Sequence, residues 1–216
     1  MEIFILDTNL FFNMEAGLGM GKKTEEIIVN LTKTIYQLKK EKKASFYMPP
    51  RIVDEFLSFF PTYRQAVEDK NQEFLKNFLS VVDIKSPNPV KIQFPGTVFY
   101  RLVDDIRSRS YRGLNVAEEE IERAGQMMAG KKIESKKDFQ IAIGEFIKKF
   151  RDRYRNATRT GFLDSVADLD LIVLAKEEDG FLVTSDEGVL NWGRVFGVKE
   201  MPSLVFRKRL EGLLRE

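Results

Sequence analysis

The chain opens on a short apolar run, Ile3 to Leu6, that stops at Asp7-Thr8-Asn9. Such a run, bounded by polar residues, predicts a buried parallel strand that delivers a carboxylate to its C-terminal edge. From Thr24 to about Lys43, Ile27, Ile28, Leu31, Ile35 and Leu38 recur at helical spacing behind Glu25 and Glu26, which predicts an amphipathic helix. Ser45 to Met48 reads as a second strand. Pro49-Pro50 marks a turn into a helix carrying Val53, Phe56, Leu57 and Phe60, and Pro61 suits the first turn of a further helix reaching about Ser80. Val81 to Ile84 is the third candidate strand. The alternation predicts an α/β fold, a parallel twisted sheet flanked by helices.

The period then changes. From Thr97 to about Arg159 the pattern is helical throughout, with interruptions at Gly113-Leu114-Asn115 and around Gly130 to Ser135. Asn115 with Glu118, and Ser135 with Asp138, are spaced as helix starts. The expectation is a helical hairpin, residues 97–159, inserted into an α/β domain made of residues 1–96 and 160–216. Arms of this length would project on the order of 30–45 Å. The α/β pattern resumes with a helix from Asp164 to Glu178 stopped by Gly180, then a strand from Phe181 to Thr184 that ends at Ser185-Asp186. A short helix around Val189, a strand near Phe196 to Val198 and a basic helix from Pro202 to Arg215 complete the reading.

Composition narrows the chemistry. Among 216 residues there is no cysteine and no histidine, which excludes disulfides, Cys/His zinc sites, Ser-His-Asp and Cys-His nucleophiles, and histidine acid/base catalysis. Carboxylates, hydroxyls, lysines or a hard metal must carry any reaction. No apolar run approaches the roughly 20 residues of a membrane span, and Met1 to Asp7 is too short and acidic for a signal peptide. A cytoplasmic location is expected. The net charge is only +2, so attraction for nucleic acid must come from a local patch.

Two strands end alike, in Leu6-Asp7-Thr8-Asn9 and in Val183-Thr184-Ser185-Asp186. If both are central and parallel, Asp7 and Asp186 open onto one edge of the sheet, where ligands of open α/β sheets sit. Asp164 and Asp168 are spaced to share one face at a helix start, about 6 Å apart along the axis. Asp170 lies roughly 200° round from Asp168. Taken singly, an aspartate after a strand is more often a turn former or helix cap than a ligand. Together in a chain without other catalytic groups, these acids form a cluster that divalent cations would have to neutralise. All-oxygen donors favour Mg²⁺ or Mn²⁺, and the reaction such ions suit here is phosphodiester hydrolysis. Glu55, beside Asp54 on a predicted helix, fits a solvated face as well as a metal role.

The order Asp7-Thr8-Asn9, helix-borne Asp164 and Asp168, then Thr184-Ser185-Asp186 resembles the acidic quartet of PIN-domain nucleases. The long helical insertion, the Asp-x-x-x-Asp-x-Asp run and Phe181 to Gly188 are similar to the HARP family, the homologs of Aquifex RNase P. That resemblance implies a protein-only ribonuclease P, a Mg²⁺-dependent endoribonuclease that removes 5′ leaders from precursor tRNA. It assigns metal binding to Asp7, Asp164, Asp168 and Asp186, with Asp170 as an accessory catalytic member. It also implies dimers formed through the hairpin and larger homo-oligomers such as a dodecamer, and some members carry the label of RNA ligase partner.

The densest charge lies in Lys148-Lys149-Phe150-Arg151-Asp152-Arg153-Tyr154-Arg155, continued by Arg159. Arg151, Arg155 and Arg159 recur at helical spacing and form a stripe, which with Lys148 and Lys149 suits the phosphate backbone of duplex RNA. A solvated helix face is the bland alternative, but the stripe runs directly into Asp164. Arg107, Arg109 and Arg112, near the expected bend, are further candidates for RNA contact. Apolar residues of the hairpin, among them Phe99, Val103, Ile121, Phe146 and Phe150, exceed what two arms need for each other and favour self-association. Three other readings compete: a toxin-type PIN ribonuclease on mature tRNA or mRNA, a non-catalytic RNA-binding partner of an RNA ligase, and an Asp-initiated phosphotransfer domain. The long insertion disfavours the first, the full set of acids the second, and Asn9 in place of a second aspartate the third.

Overall fold

The computed structural model describes residues 1–12, 18–60, 73–130, 135–159, 163 and 165–216. The chain divides into two compact units, one formed by Met1–Pro95 with Ser165–Glu216 and the other by Gly96–Asp164.

The first unit is built on strands β1 (Glu2–Leu6), β2 (Ala44–Met48), β3 (Asp83–Ile84), β4 (Phe181–Thr184) and β5 (Lys199–Pro202). They form one sheet in the order β3-β2-β1-β4-β5, and every pairing is parallel. The chain winds outward from β1 in one direction through β2 and β3, then in the other through β4 and β5. The switch point therefore falls between β1 and β4, where open parallel sheets open a ligand crevice at their C-terminal ends.

Helix α1 (Asn9–Phe12) follows β1, and α2 (Thr24–Lys40) buries the five apolar positions that its periodicity predicts, Ile27, Ile28, Leu31, Ile35 and Leu38. Helices α3 (Pro50–Ser58) and α4 (Glu73–Val81) follow β2. The expected start of α4 at Pro61 lies outside the described residues. A 3-10 turn, Pro89–Lys91, follows β3. After the insertion come α7 (Val166–Glu177), α8 (Glu187–Phe196) and α9 (Ser203–Arg215). Phe4 of β1 anchors the core, stacking on Phe46 at 5.4 Å and meeting Phe206 of α9 at 5.1 Å. Each such fully buried ring contributes roughly 1.5–3 kcal/mol by leaving water.

Several boundaries differ from expectation for local reasons. The helix foreseen from Asp164 begins at Val166, because the side chain of Ser165 accepts the Ala167 N–H and caps it. Its left-handed exit residue is Asp179 (φ 50°), not Gly180. Gly180 is needed for closeness instead: a Cβ there would lie 2.6 Å from Ile5 Cδ1 and 3.0 Å from the Ile3 carbonyl oxygen. The strand expected at Phe196 to Val198 is displaced to Lys199–Pro202, because Phe196 closes α8 and Gly197 (φ 68°) terminates it in the left-handed conformation.

The second unit consists of α5 (Thr97–Met128) and α6 (Lys136–Arg159) packed against each other. The break expected at Gly113-Leu114-Asn115 does not occur, and α5 runs through it. Gly113 serves the packing of the hairpin: a Cβ would stand 2.7 Å from the Tyr154 ring. The second break does occur, with Gly130 left-handed (φ 77°) and Ser135 capping α6 through the Asp138 N–H. Buried Glu120 is held by Arg123 at 2.9 Å and by Arg153 across the hairpin. Arg112 donates to the Ala157 carbonyl, and so is engaged within the hairpin.

Candidate active site

Asp7 lies just past β1 and extends that strand's pairing, its N–H donating to the Val183 carbonyl at 3.1 Å. The side chain is 2% exposed. Its carboxylate accepts hydrogen bonds from Thr184 Oγ1, from Asn9 Nδ2 at 3.1 Å and from Thr8 Oγ1 at 3.3 Å, all neutral donors. Burial pushes the Asp7 carboxyl above the ordinary carboxylate range; the hydrogen bonds from Thr184 and Asn9 oppose the shift, and the Glu55 charge adds to it.

The second strand end meets the first through one hydroxyl. Thr184 Oγ1 donates to Asp7 Oδ2 and accepts the Asp186 N–H at 3.0 Å, so Asp7 and Asp186 open onto the same sheet edge at the β1/β4 switch point. Asp186 Oδ1 accepts the Val189 N–H at 3.0 Å and caps α8. The capping role and a position at the site thus coexist in one residue, the cap engaging Oδ1.

Glu55 approaches from α3. Thr8 Oγ1 lies 3.2 Å from Glu55 Oε1 and shares its single proton between Glu55 and Asp7. Helix α7 packs on β1 and α3 and carries Asp168, half-buried, in its first turn. Asp170 points away to Arg51 of α3, at 2.6 Å. Asp164 lies outside the described residues. Among the described residues, no three acidic side chains converge closely enough to enclose a metal ion by themselves.

Hard oxygen donors, a buried carboxylate met among the described residues by neutral donors, and a second carboxylate one hydroxyl away fit a divalent cation of the Mg²⁺ or Mn²⁺ type. Two comparisons with known proteins bear on what such a site does. A family model described as "PINc domain ribonuclease" matches residues 3–215. The chain is 35% identical over 214 residues to the RNA-free ribonuclease P of Thermococcus kodakarensis, covering 99% of this chain and 96% of that protein. The chain belongs to the RNA-free ribonuclease P family of PIN-domain ribonucleases.

Similarity to the same family extends to the RNA-free ribonuclease P of Pyrococcus furiosus, 34% identical with 99% and 94% covered. It reaches that of Nitrosococcus oceani, 32% identical with 99% and 96% covered. The sequence places Asp7 and Asp186 at one sheet edge, as found, and leaves Glu55 between a solvated face and the site. It does not single out Thr8 and Thr184, whose only signal is a hydroxyl beside each strand-end aspartate. Arg51 gave no signal, because its partner Asp170 is 119 residues away. In the second unit Lys148, Lys149, Arg151, Arg155 and Arg159 are exposed, whereas Arg153 turns to Glu119 and Glu120. Among the described residues no helix is long and apolar enough to cross a membrane.

Proposed function

We propose that the protein removes the 5′ leader of precursor tRNA as an endoribonuclease, using Mg²⁺ or Mn²⁺ held by Asp7, Asp186, Asp168 and Asp164. The observation that carries this reading is the Asp7-Thr184-Asp186 junction at the switch point. The relatives' name, RNA-free ribonuclease P, supplies the substrate.

When bound, the cation supplies Lewis acidity that makes water a competent nucleophile at neutral pH and stabilises charge on the phosphodiester. Burial of Asp7 keeps its carboxylate out of water, and among the described residues its donors are neutral. Thr8, Asn9 and Thr184 fix its orientation through hydrogen bonds to both oxygens. Glu55 sits close enough to add negative charge on the same side. Asp170 acts as an accessory by clamping α7 to α3 through Arg51, which steadies the turn that carries Asp168.

The inserted unit serves recognition and assembly. Its exposed cations Lys148, Lys149, Arg151, Arg155 and Arg159 suit RNA phosphates. Its apolar excess, including Phe99 (63% exposed) and Ile121 (72%), suits a second copy of the hairpin, giving dimers and larger homo-oligomers. The setting is cytoplasmic.

The test is incubation with precursor tRNA and Mg²⁺, followed by mapping of both product ends. One cut at the leader junction, leaving a 5′-phosphate on the tRNA, is expected. Cleavage confined to the anticodon loop would reject the reading in favour of a toxin-type ribonuclease.

A further inference from the structure

Helix α3 presents one stripe to the site. Arg51, Glu55 and Phe59 follow one another at four-residue intervals, about 6 Å of rise per step. Arg51 holds Asp170, Glu55 meets Thr8 beside Asp7, and Phe59, the C-cap residue, continues in the right-handed helical conformation. Four residues on from the Thr8–Glu55 contact along both segments, Phe12 meets Phe59.

That second contact is a stacked pair, with ring centroids 4.0 Å apart and planes 27° from parallel. Phe12 is braced by Phe56 and Phe60 at 6.2 and 6.0 Å, and Phe56 is fully buried, so the pair is anchored to the core. Phe59 is nonetheless 52% exposed. Phe12 covers one face of the ring, and a base would stack on the other. Single exposed apolar residues are common on protein surfaces. This one is a flat ring held in place one helical turn from Glu55.

We propose that Phe59 is a stacking shelf for an unpaired base of the leader, seated next to the phosphodiester that is cut. The proposal rests on the leader-removal reading above. Proteins hold single-stranded RNA by stacking its bases on fixed aromatic rings, without regard to base identity. The leader is the side that can use such a ring. A paired base at the end of the acceptor stem is stacked on its neighbours, whereas an unpaired base next to the cut has a free face. Arg51, on the other side of Glu55, keeps guanidinium donors beyond the one that holds Asp170, and its side chain is 60% exposed.

The experiment places 2-aminopurine singly at the first leader positions of precursor tRNA and titrates in the protein in EDTA, following fluorescence. At one position the wild type is expected to quench the probe through stacking. Phe59→Ala abolishes the quench, and Phe59→Trp or Phe59→Tyr retains it. A companion measurement replaces that leader base by an abasic site, which lowers wild-type kcat/KM by about tenfold and leaves Phe59→Ala indifferent. A merely structural role for Phe59 would make the two losses add. Absence of quenching at every leader position, or quenching that survives Phe59→Ala, overturns the shelf. If the probe is quenched but intact precursor is not cut at the leader junction, the functional reading fails and the shelf stands as an RNA-binding feature.

Discussion

Thr184 Oγ1 donates to Asp7 Oδ2 and in the same position accepts the backbone N–H of Asp186, so that one buried hydroxyl joins the ends of two parallel strands. Thr184 is fully buried, as a β-branched residue at the end of a central strand should be, and its hydroxyl uses its one proton and one of its two lone pairs in these contacts. Substitution by valine keeps the shape and removes the donor. Thr184→Val is expected to cost about 1–3 kcal/mol of stability, since it leaves a buried acceptor short of a partner. It should also lower kcat/KM by roughly 10–100-fold, the usual range for a group that orients a metal ligand. Thr184→Ser should recover most of both. Urea denaturation and single-turnover cleavage read the two effects separately.

The raised carboxyl of Asp7 makes a prediction about pH in the absence of metal. The folded protein holds the Asp7 proton to higher pH than the unfolded chain, whose value is near 3.8. Below that value both states are protonated, and the favourable contribution of the neutral group is fully present. As pH rises through the raised folded value, the folded state must ionise a buried carboxyl, and that contribution is lost. In EDTA, Asp7→Asn should therefore melt above the wild type at pH 7, with the difference shrinking towards pH 4. Adding Mn²⁺ should raise the wild-type melting temperature and leave that of Asp7→Asn almost unmoved. Melting curves across pH, with and without metal, check both parts.

Asp170 and Asp168 should separate cleanly. Asp170 belongs to a pair whose guanidinium side is largely exposed, so Asp170→Asn is expected to cost only about 1 kcal/mol. It should leave the metal concentration that gives half-maximal activity within about twofold of the wild type. Asp168→Asn should shift that concentration by at least about tenfold with little change in stability. Equal metal shifts in the two variants would place Asp170 among the ligands.

Much of this arrangement was legible in the sequence, and the exceptions share a cause. The five buried positions of α2, the exact span of β4 and the convergence of Asp7 with Asp186 follow from periodicity and strand ends, which are local. Gly113 has the local signature of a break, but the reason for a glycine there is the Tyr154 ring on the other arm. Gly180 was read as a helix stop, whereas its absent side chain makes room for Ile3 and Ile5 on β1. Thr8, Thr184 and Arg51 escaped notice because hydroxyls and single arginines gain meaning only from partners distant in sequence. Gly180→Ala turns this into an expected outcome. A Cβ 2.6 Å from fully buried Ile5 forces β4 away from β1, at about 1–3 kcal/mol, measured as a lowered midpoint of denaturation.

The basic stripe predicts a salt effect. If Arg151 and Arg155 each neutralise one phosphate, alanine at either position should raise KM for precursor tRNA while leaving kcat unchanged. It should also reduce the slope of log affinity against log salt by about 0.7–0.9. Arg153→Ala, which breaks the ion pairs with Glu119 and Glu120, should instead lower the melting temperature and leave the slope unaltered.

Asp7 and Asp186 are proposed to share one divalent cation. Titration calorimetry of Mn²⁺ into metal-free protein measures this directly, with Glu211→Gln on the surface of α9 as the control. Asp7→Asn and Asp186→Asn are each expected to weaken binding by at least about tenfold, while the control binds as the wild type does. Undiminished Mn²⁺ affinity in either aspartate variant would contradict it.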